Sequence, residues 1–201
     1  MATISSNKLG LYAFNTTQTS PLEVMDTSTA IASITDSSVA DLGVATGAHF
    51  IVENAGVFVG VAKRDTSNGA PSDETSNLEL MALATSTSLE AQNAITETAA
   101  RNGSGGSTNF IVSGAMTWST NIEGLLDVAS AAGSAVTIMD AARSKQYLVA
   151  KFEVAEAGTA KTFYAGQTLI DSVSLSGGVD DIATYSATLS GYGDLFKGTV
   201  A

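Results

Sequence analysis

The chain has no cysteine, one histidine and one tryptophan in 201 residues. Without cysteine there is no disulfide framework and no thiolate metal site. A Ser-His-Asp triad would have to use His49. No Gly-x-Ser-x-Gly elbow with apolar flanks accompanies it, so His49 reads as a loop or surface residue. Basic residues are also scarce: nine Lys and Arg stand against twenty Asp and Glu, a formal net charge of −11. Lys63-Arg64 is the sole adjacent basic pair. Neutralising phosphates needs clustered Lys and Arg, so the footprint of a nucleic-acid binder is missing. An acidic protein can still stand beside DNA if its task is to repel it. No apolar run approaches the ~18–20 residues of a membrane helix, and Met1-Ala2-Thr3-Ile4 carries no charged region ahead of an apolar one. The expectation is a protein made in a cytoplasm, with no membrane contact, that stays soluble until it assembles.

Charge of either sign is low. Charged residues make up 14% and hydrophobic residues 44%, with Ala, Ser, Thr and Gly filling the gap. Disordered chains pair low hydrophobicity with high charge, so this one folds. Soluble proteins usually carry about 25% charged residues; a surface this short of charge suits packing against neighbours.

Lys8–Phe14 reads as a short strand, closed by Asn15-Thr16-Thr17. Phe50-Ile51-Val52 and Val57–Val61 flank Glu53-Asn54-Ala55-Gly56, the pattern of a hairpin. After the Asn15-Thr16-Thr17 turn, the chain to about Ala48 is Ser, Thr and Asp-rich with weak periodicity. Asp65–Asn77 is a polar loop, and Ala100–Asn109 is a second, Gly/Ser-rich one. Phe110, Val112, Met116, Trp118 and Ile122 share one parity against Ser113, Thr117 and Ser119, the mark of a strand with one buried face. From Ser134 to Ser144 the period changes: Val136, Met139 and Ala142 fall three apart, giving one amphipathic helix with Ser134 as N-cap. Three alternating strands follow as a meander. Leu148, Ala150 and Phe152 oppose Tyr147, Lys151 and Glu153; Leu169, Val173 and Leu175 oppose Ser172 and Ser174; Tyr185, Ala187 and Leu189 oppose Ser186 and Thr188.

No chemistry is written into this frame. Asp180-Asp181 is an acidic pair, but a Ca²⁺ site wants six or more oxygens in a spaced pattern, and the pair follows Gly177-Gly178, where Asp serves the turn. No glycine run matches a phosphate-binding loop, and aromatics are too few to line a sugar cleft. No enzyme activity, cofactor or metal is expected.

Three segments together resemble the major tail tube proteins of long-tailed phages. They are Ala84–Glu90 (small and hydroxyl residues ending in an apolar one), Trp118-Ser119-Thr120-Asn121-Ile122-Glu123-Gly124-Leu125, and the closing hairpin Ile170–Gly193 with its aromatic-Ser-x-x-Leu-x-Gly-x-Gly strand. The likeness runs from about Met81 to Lys197, plus the Leu9–Phe14 strand. It implies a mainly β fold, sandwich or barrel-like, with one short α-helix and long loops. Residues 1–201 would form one tail tube domain, with 15–80 an extended loop and hairpin insertion. It further implies a structural subunit of the virion tail, forming hexameric rings that stack into a conduit for DNA ejection. Its partners would be copies of itself and tail proteins such as tape measure, tail terminator and baseplate, with DNA passing through unbound. An acidic lumen would keep DNA off the wall, with Glu90, Glu97, Glu123, Asp171, Asp180 and Asp181 as candidates to face it. The loops marked by Asp65, Asn77, Arg101 and Gly105 are candidate subunit contacts. The same composition also suits a β-sandwich surface binding module, such as a decoration protein or adhesin, and the tube of a contractile machine shares the architecture.

Overall fold

The computed structural model describes residues 9–65, 69–80, 84–101, 107–125, 135–154, 161–177 and 183–200. Side-chain surroundings are not described for residues 9–10, 96–101, 107–113, 135 and 200. Four long strands dominate: β7 (Ala84–Arg101), β8 (Ser107–Leu125), β10 (Lys161–Ser176) and β11 (Thr184–Val200). With β1 (Leu9–Asn15) and β9 (Tyr147–Val154) they pair in the order β7-β8-β11-β10-β9-β1. Neighbouring strands along this path run antiparallel, and β9-β10-β11 is the meander expected from the sequence.

The sheet curls around one apolar core. Ile122, Tyr185, Ala187 and Leu189 come from β8 and β11, and Leu11, Ala13, Leu148, Ala150 and Phe152 from β1 and β9. The helix α2 (Ala135–Arg143) closes this core with Ile138 and Ala141. The helix was legible but its buried face was not: of the expected Val136, Met139 and Ala142 none is buried and Val136 is exposed, while Ile138 and Ala141 enter the core; the proposed cap Ser134 lies outside the described residues. One two-residue strand completes the rim beside β1: β6 (Glu79–Leu80) pairs with it antiparallel.

Residues 16–80 are more structured than a loop with one hairpin. They hold β2 (Glu23–Asp26), β3 (His49–Asn54), β4 (Val57–Lys63), β5 (Ser72–Asp73) and β6, and a second short helix, α1 (Asp36–Asp41). The β3–β4 hairpin is as expected, and its turn is Ala55-Gly56, both at positive φ (50° and 82°), the backbone a tight two-residue hairpin requires. The helix α1 contradicts the expectation of a single helix. It buries only Val39 among Ser, Asp and Ala, so no apolar period marks it. Arg64 fixes it from outside, donating through Nε to Asp36 Oδ1 at 2.8 Å and through Nη1 to the Val44 carbonyl at 2.6 Å.

β3 is buried on both faces. Phe50 and Val52 join Ile31, Ile34, Val39, Val44 and Ala62 in one small core, while Ile51 points the other way into a second. That second core, with Leu22, Phe58 and Val61, lies against Tyr147, Val149, Phe163, Ala165 and Phe196 of the barrel. The outward face expected for Tyr147, Lys151 and Glu153 is therefore covered. Tyr147 is buried, and Lys151 and Glu153 form a shielded ion pair at 2.7 Å, with the ammonium 5.0 Å from the Tyr12 ring centroid. Gln167 staples the two parts together. Its buried amide accepts from Leu22 N at 2.7 Å and donates to Leu22 O at 3.0 Å, completing a backbone segment that has no strand partner of its own.

A bulge corrects a second strand. β10 holds one extra residue, Asp171, where Ile170 pairs with Leu189 but Ser172 pairs with Thr188. An inserted residue reverses which parity faces in. Leu169 accordingly packs on the second core while Val173 packs on the first, although the sequence gives them one parity.

Candidate functional site

The outer side of β7, β8, β11 and the C-terminal half of β10 is a lattice of small polar side chains. Directly opposed residues in antiparallel strands point to one face, so the register aligns them in rungs. One rung is Ser86, Glu123, Ser186 and Ser174; the next is Ser88, Asn121, Thr188 and Ser172; a third holds Glu90, Ser119 and Ser190. The reverse side of the same strands carries Thr87, Ile122, Ala187 and Val173, then Leu89, Thr120, Leu189 and Ile170, aimed at the first core. Thr120, the hydroxyl on the buried side, donates to the Ser88 carbonyl at 2.9 Å. On the outer side Thr188 Oγ1 donates to Asn121 Oδ1 at 2.8 Å.

Two carboxylates, Glu90 and Glu123, stand exposed on this lattice, and no Lys or Arg occupies any rung. Asp171 is exposed at the bulge beside it. Glu97 lies farther along β7, in the part whose side chains are outside the described set, and Asp180 and Asp181 lie outside the described residues. Of the candidate contact loops, Asp65 is exposed just after β4, and Asn77 is exposed at the end of a short helical turn, Thr75–Asn77. Arg101 ends β7, and Gly105 is outside the described residues.

β7 and β8 continue past the lattice as a two-stranded ribbon. β11 pairs with β8 only from Ser119 to Leu125, whereas β7 follows β8 as far as the Arg101–Ser107 pair. At ~3.4 Å per residue this ribbon extends roughly 35 Å beyond Trp118. Met116, expected to be buried by its parity, is 40% exposed there, and Ile95 is 65% exposed, because among the described residues no second layer lies beneath.

Trp118 marks where ribbon meets barrel. Its ring lies over Gly191 and Gly166, and its Nε1 donates to the Gly193 carbonyl at 3.1 Å. A Cβ on Gly191 would sit 2.1 Å from the ring, and one on Gly166 would sit 2.6 Å from it. The lone tryptophan and the Leu-x-Gly-x-Gly strand are thus two halves of one contact. Their pairing was the functional geometry hidden in the sequence; the glycines at 191 and 193 on an otherwise hydroxyl-rich strand were the available signal.

His49 is a packing residue at the head of β3, not a surface one. Its ring meets Phe14 edge-on at 5.3 Å, and its Nδ1 lies 3.2 Å from Gln18 Oε1. Burial, then the charge of Lys63 opposite it, holds its pKa below the usual imidazole value. Among the described residues no group of His, Asp and Glu could hold a metal ion, and no helix is long and apolar enough to cross a membrane.

The sequence profile described as "Phage tail tube protein" matches residues 65–197, which take in the whole hydroxyl lattice, the ribbon, α2 and the meander. The chain belongs to the phage tail tube protein family. Tail tube proteins are structural components of the virion tail, not enzymes, and this one has their mainly β architecture. No curated protein matches the chain. Solved structures similar in fold include a protein in the tail of an empty gene transfer agent particle refined with C6 symmetry. It is 13% identical, covering 67% of this chain and 90% of that one, at a TM-score of 0.46. Another is the SPP1 tail tube (16% identical, 66% and 70% covered, TM-score 0.43), and a third comes from an anti-feeding prophage baseplate (14% identical, 59% and 81% covered, TM-score 0.43).

Proposed function

We propose that the hydroxyl lattice of β7, β8, β10 and β11 lines the channel of a tube made of stacked rings, six subunits to a ring, through which DNA leaves the particle. The observation that carries this reading is the charge pattern of one continuous face: Glu90 and Glu123 project from a field of Ser, Thr and Asn with no cation in any rung. Such a wall stays wet and offers phosphates nothing to pair with, so DNA slides rather than sticks. Asp171, and beyond the described residues Asp180 and Asp181, extend the same sign; Glu97 would carry it along the ribbon.

The ribbon is the natural contact between copies. Two strands alone are marginal in water, and Ile95 and Met116 gain burial only against another subunit. Its end at Arg101, the stretch with Gly105 that follows in the sequence, and the Asp65–Asn77 segment are the proposed ring and stacking contacts. The ends of the tube would meet the tail terminator and baseplate, and its bore the tape measure.

The test is the double variant Glu90→Lys, Glu123→Lys. Tubes should still form, since neither side chain packs in a core, but they should retain double-stranded DNA on co-sedimentation at low salt, and release it as salt rises. A tube reconstruction that put Glu90 and Glu123 on the outer surface would overturn the reading.

A further inference from the structure

We infer that the ribbon end of one copy docks in a cleft of the next, formed where residues 16–49 meet β11 at the end of the polar lattice. This rests on the proposal that the ribbon joins copies, and it names the surface that receives it. Most of that surface lies ahead of residue 65, where the family profile begins.

Residues 16–64 stand on the same side of β10 and β11 as the lattice, farther along the strands. Their core takes in Phe163, Ala165 and Leu169 of β10 and Phe196 of β11, and β4 pairs in parallel with β11 at Val57–Lys197. Tyr192 lies opposite Gln167 in the register, and Gln167 holds Leu22, so the Tyr192 side chain is on that side too. The lattice residues Ser186, Thr188 and Ser190 therefore lead along β11 to a step. At its foot is a cleft of about 440 Å³, lined by Tyr192 from β11 and by Pro21, Glu23, Val44 and Ala45 from the covering segment.

Apolar surface, charge and distance match the ribbon end of another copy to this cleft. Tyr192 packs edge-on against Tyr147 with ring centroids 5.7 Å apart, yet it remains 48% exposed, a large ring left half covered. Glu23 is the one carboxylate lining the cleft, and no Lys or Arg lines it. Arg101, at the ribbon end, is the one Lys or Arg in the sequence of β7 and β8, and small residues precede it: Thr98, Ala99 and Ala100. Distance excludes the ribbon of the same copy. Trp118, where the ribbon starts, presses on Gly191 beside Tyr192, whereas Arg101 lies roughly 35 Å farther along. The contact thus joins two different surfaces of two copies, head to tail, the kind that propagates into rings or filaments.

The chain has no cysteine, so introduced thiols are the only ones. Subunits carrying Arg101→Cys are assembled with subunits carrying Ala45→Cys, which is exposed in the cleft, and treated with a short bis-maleimide. Mass spectrometry should find a cross-linked peptide pair joining positions 101 and 45, and none when Thr29→Cys, exposed outside the cleft, replaces Ala45→Cys. Arg101→Cys is also labelled with a polyethylene glycol maleimide, as free subunit and as tube. If it is shielded in tubes yet gives no 101–45 pair, the ribbon meets a neighbour elsewhere, and this inference falls while the ribbon reading stands. If it labels equally in both, the ribbon reading falls and takes this inference with it. Charge reversal decides the matter should the thiol variants not form tubes. Arg101→Glu and Glu23→Arg should each lose assembly at concentrations where the parent forms tubes, because like charges then meet, and the double variant should recover it. Single variants that assemble like the parent, or a double variant no better than either, would overturn the match.

Discussion

Substituting Gly191 by alanine tests the contact that joins the ribbon to the barrel. An added Cβ would stand 2.1 Å from Trp118 Cε2 and 2.2 Å from Cδ2, well inside van der Waals contact. The ring cannot retreat toward β10, because a Cβ at Gly166 would already be 2.6 Å from its Cζ2, which measures how closely the ring presses on that backbone. It is also tied by the Nε1 bond to the Gly193 carbonyl. Overpacking of this kind costs about 1–3 kcal/mol, and a displaced indole would add the loss of its hydrogen bond, about 1 kcal/mol. Gly191→Ala should therefore lose about 2–4 kcal/mol in urea unfolding of the unassembled subunit. Trp118→Ala alone should lose about 3–5 kcal/mol as a buried large-to-small change. In the double variant the alanine methyl enters space the ring has left, so the two losses should fall short of their sum by 1 kcal/mol or more. Far-UV circular dichroism reads all four proteins on one scale, since the fluorophore itself is removed in two of them. A Gly191→Ala variant within about 0.5 kcal/mol of the parent, or strict additivity in the double variant, would refute the packing argument.

Gln167→Leu keeps the volume of the staple but leaves Leu22 N and O without partners in a buried place, at a cost of about 1–3 kcal/mol per group; denaturant unfolding checks it, and an unchanged midpoint would sink it. For His49, burial lowers the folded pKa below the unfolded value near 6.5, so the unfolded chain takes up the proton first. Stability should be flat above that value and decline as pH falls from it toward the folded pKa, and His49→Gln should flatten this limb in pH-resolved thermal melts. Asp36 is shifted down by the hydrogen bond from Arg64, so that bond persists at mildly acidic pH. Arg64→Ala should speed amide exchange at 36–44 while leaving β8 and β11 unaffected; equal exchange at 36–44 in the parent and the variant would count against a fastening role.

How much of this was readable without coordinates follows the number of buried faces per strand. β8 near Trp118 and β11 near Tyr185 bury one face and expose the other, so their alternation states their orientation. β3 and β9 bury both, because residues 16–64 cover the second face, and there alternation misleads: Tyr147 looks outward by pattern and is buried in fact. The ribbon errs in the opposite sense, with Met116 on the apolar parity and no core beneath it. α1 could not be read, having one buried side chain in six residues.

The candidate surface was half legible, and the missing half is register. The sequence displays Ser, Thr and isolated acids alternating along each of four strands, yet alternation fixes only which residues of one strand share a face. Whether Glu90 and Glu123 meet on one side depends on how strands slip past each other, and one residue of slip reverses the outcome. Here the even pairing from Ser86–Glu123 to Asn93–Met116 brings the two acids to one side, and the shift at Asp171 sets which residues of β10 join them. The bulge at Asp171 is the more consequential. Ahead of it, Phe163, Ala165, Gln167 and Leu169 use the outer side of β10 to hold residues 16–64; behind it, Ser172 and Ser174 use that same side to extend the polar lattice. One strand can serve an apolar interface and a wetted wall on the same side because the inserted residue shifts the apolar parity at the point where the cover ends. An acidic side chain suits that position, since the bulged residue has neither core to enter nor partner across the strand.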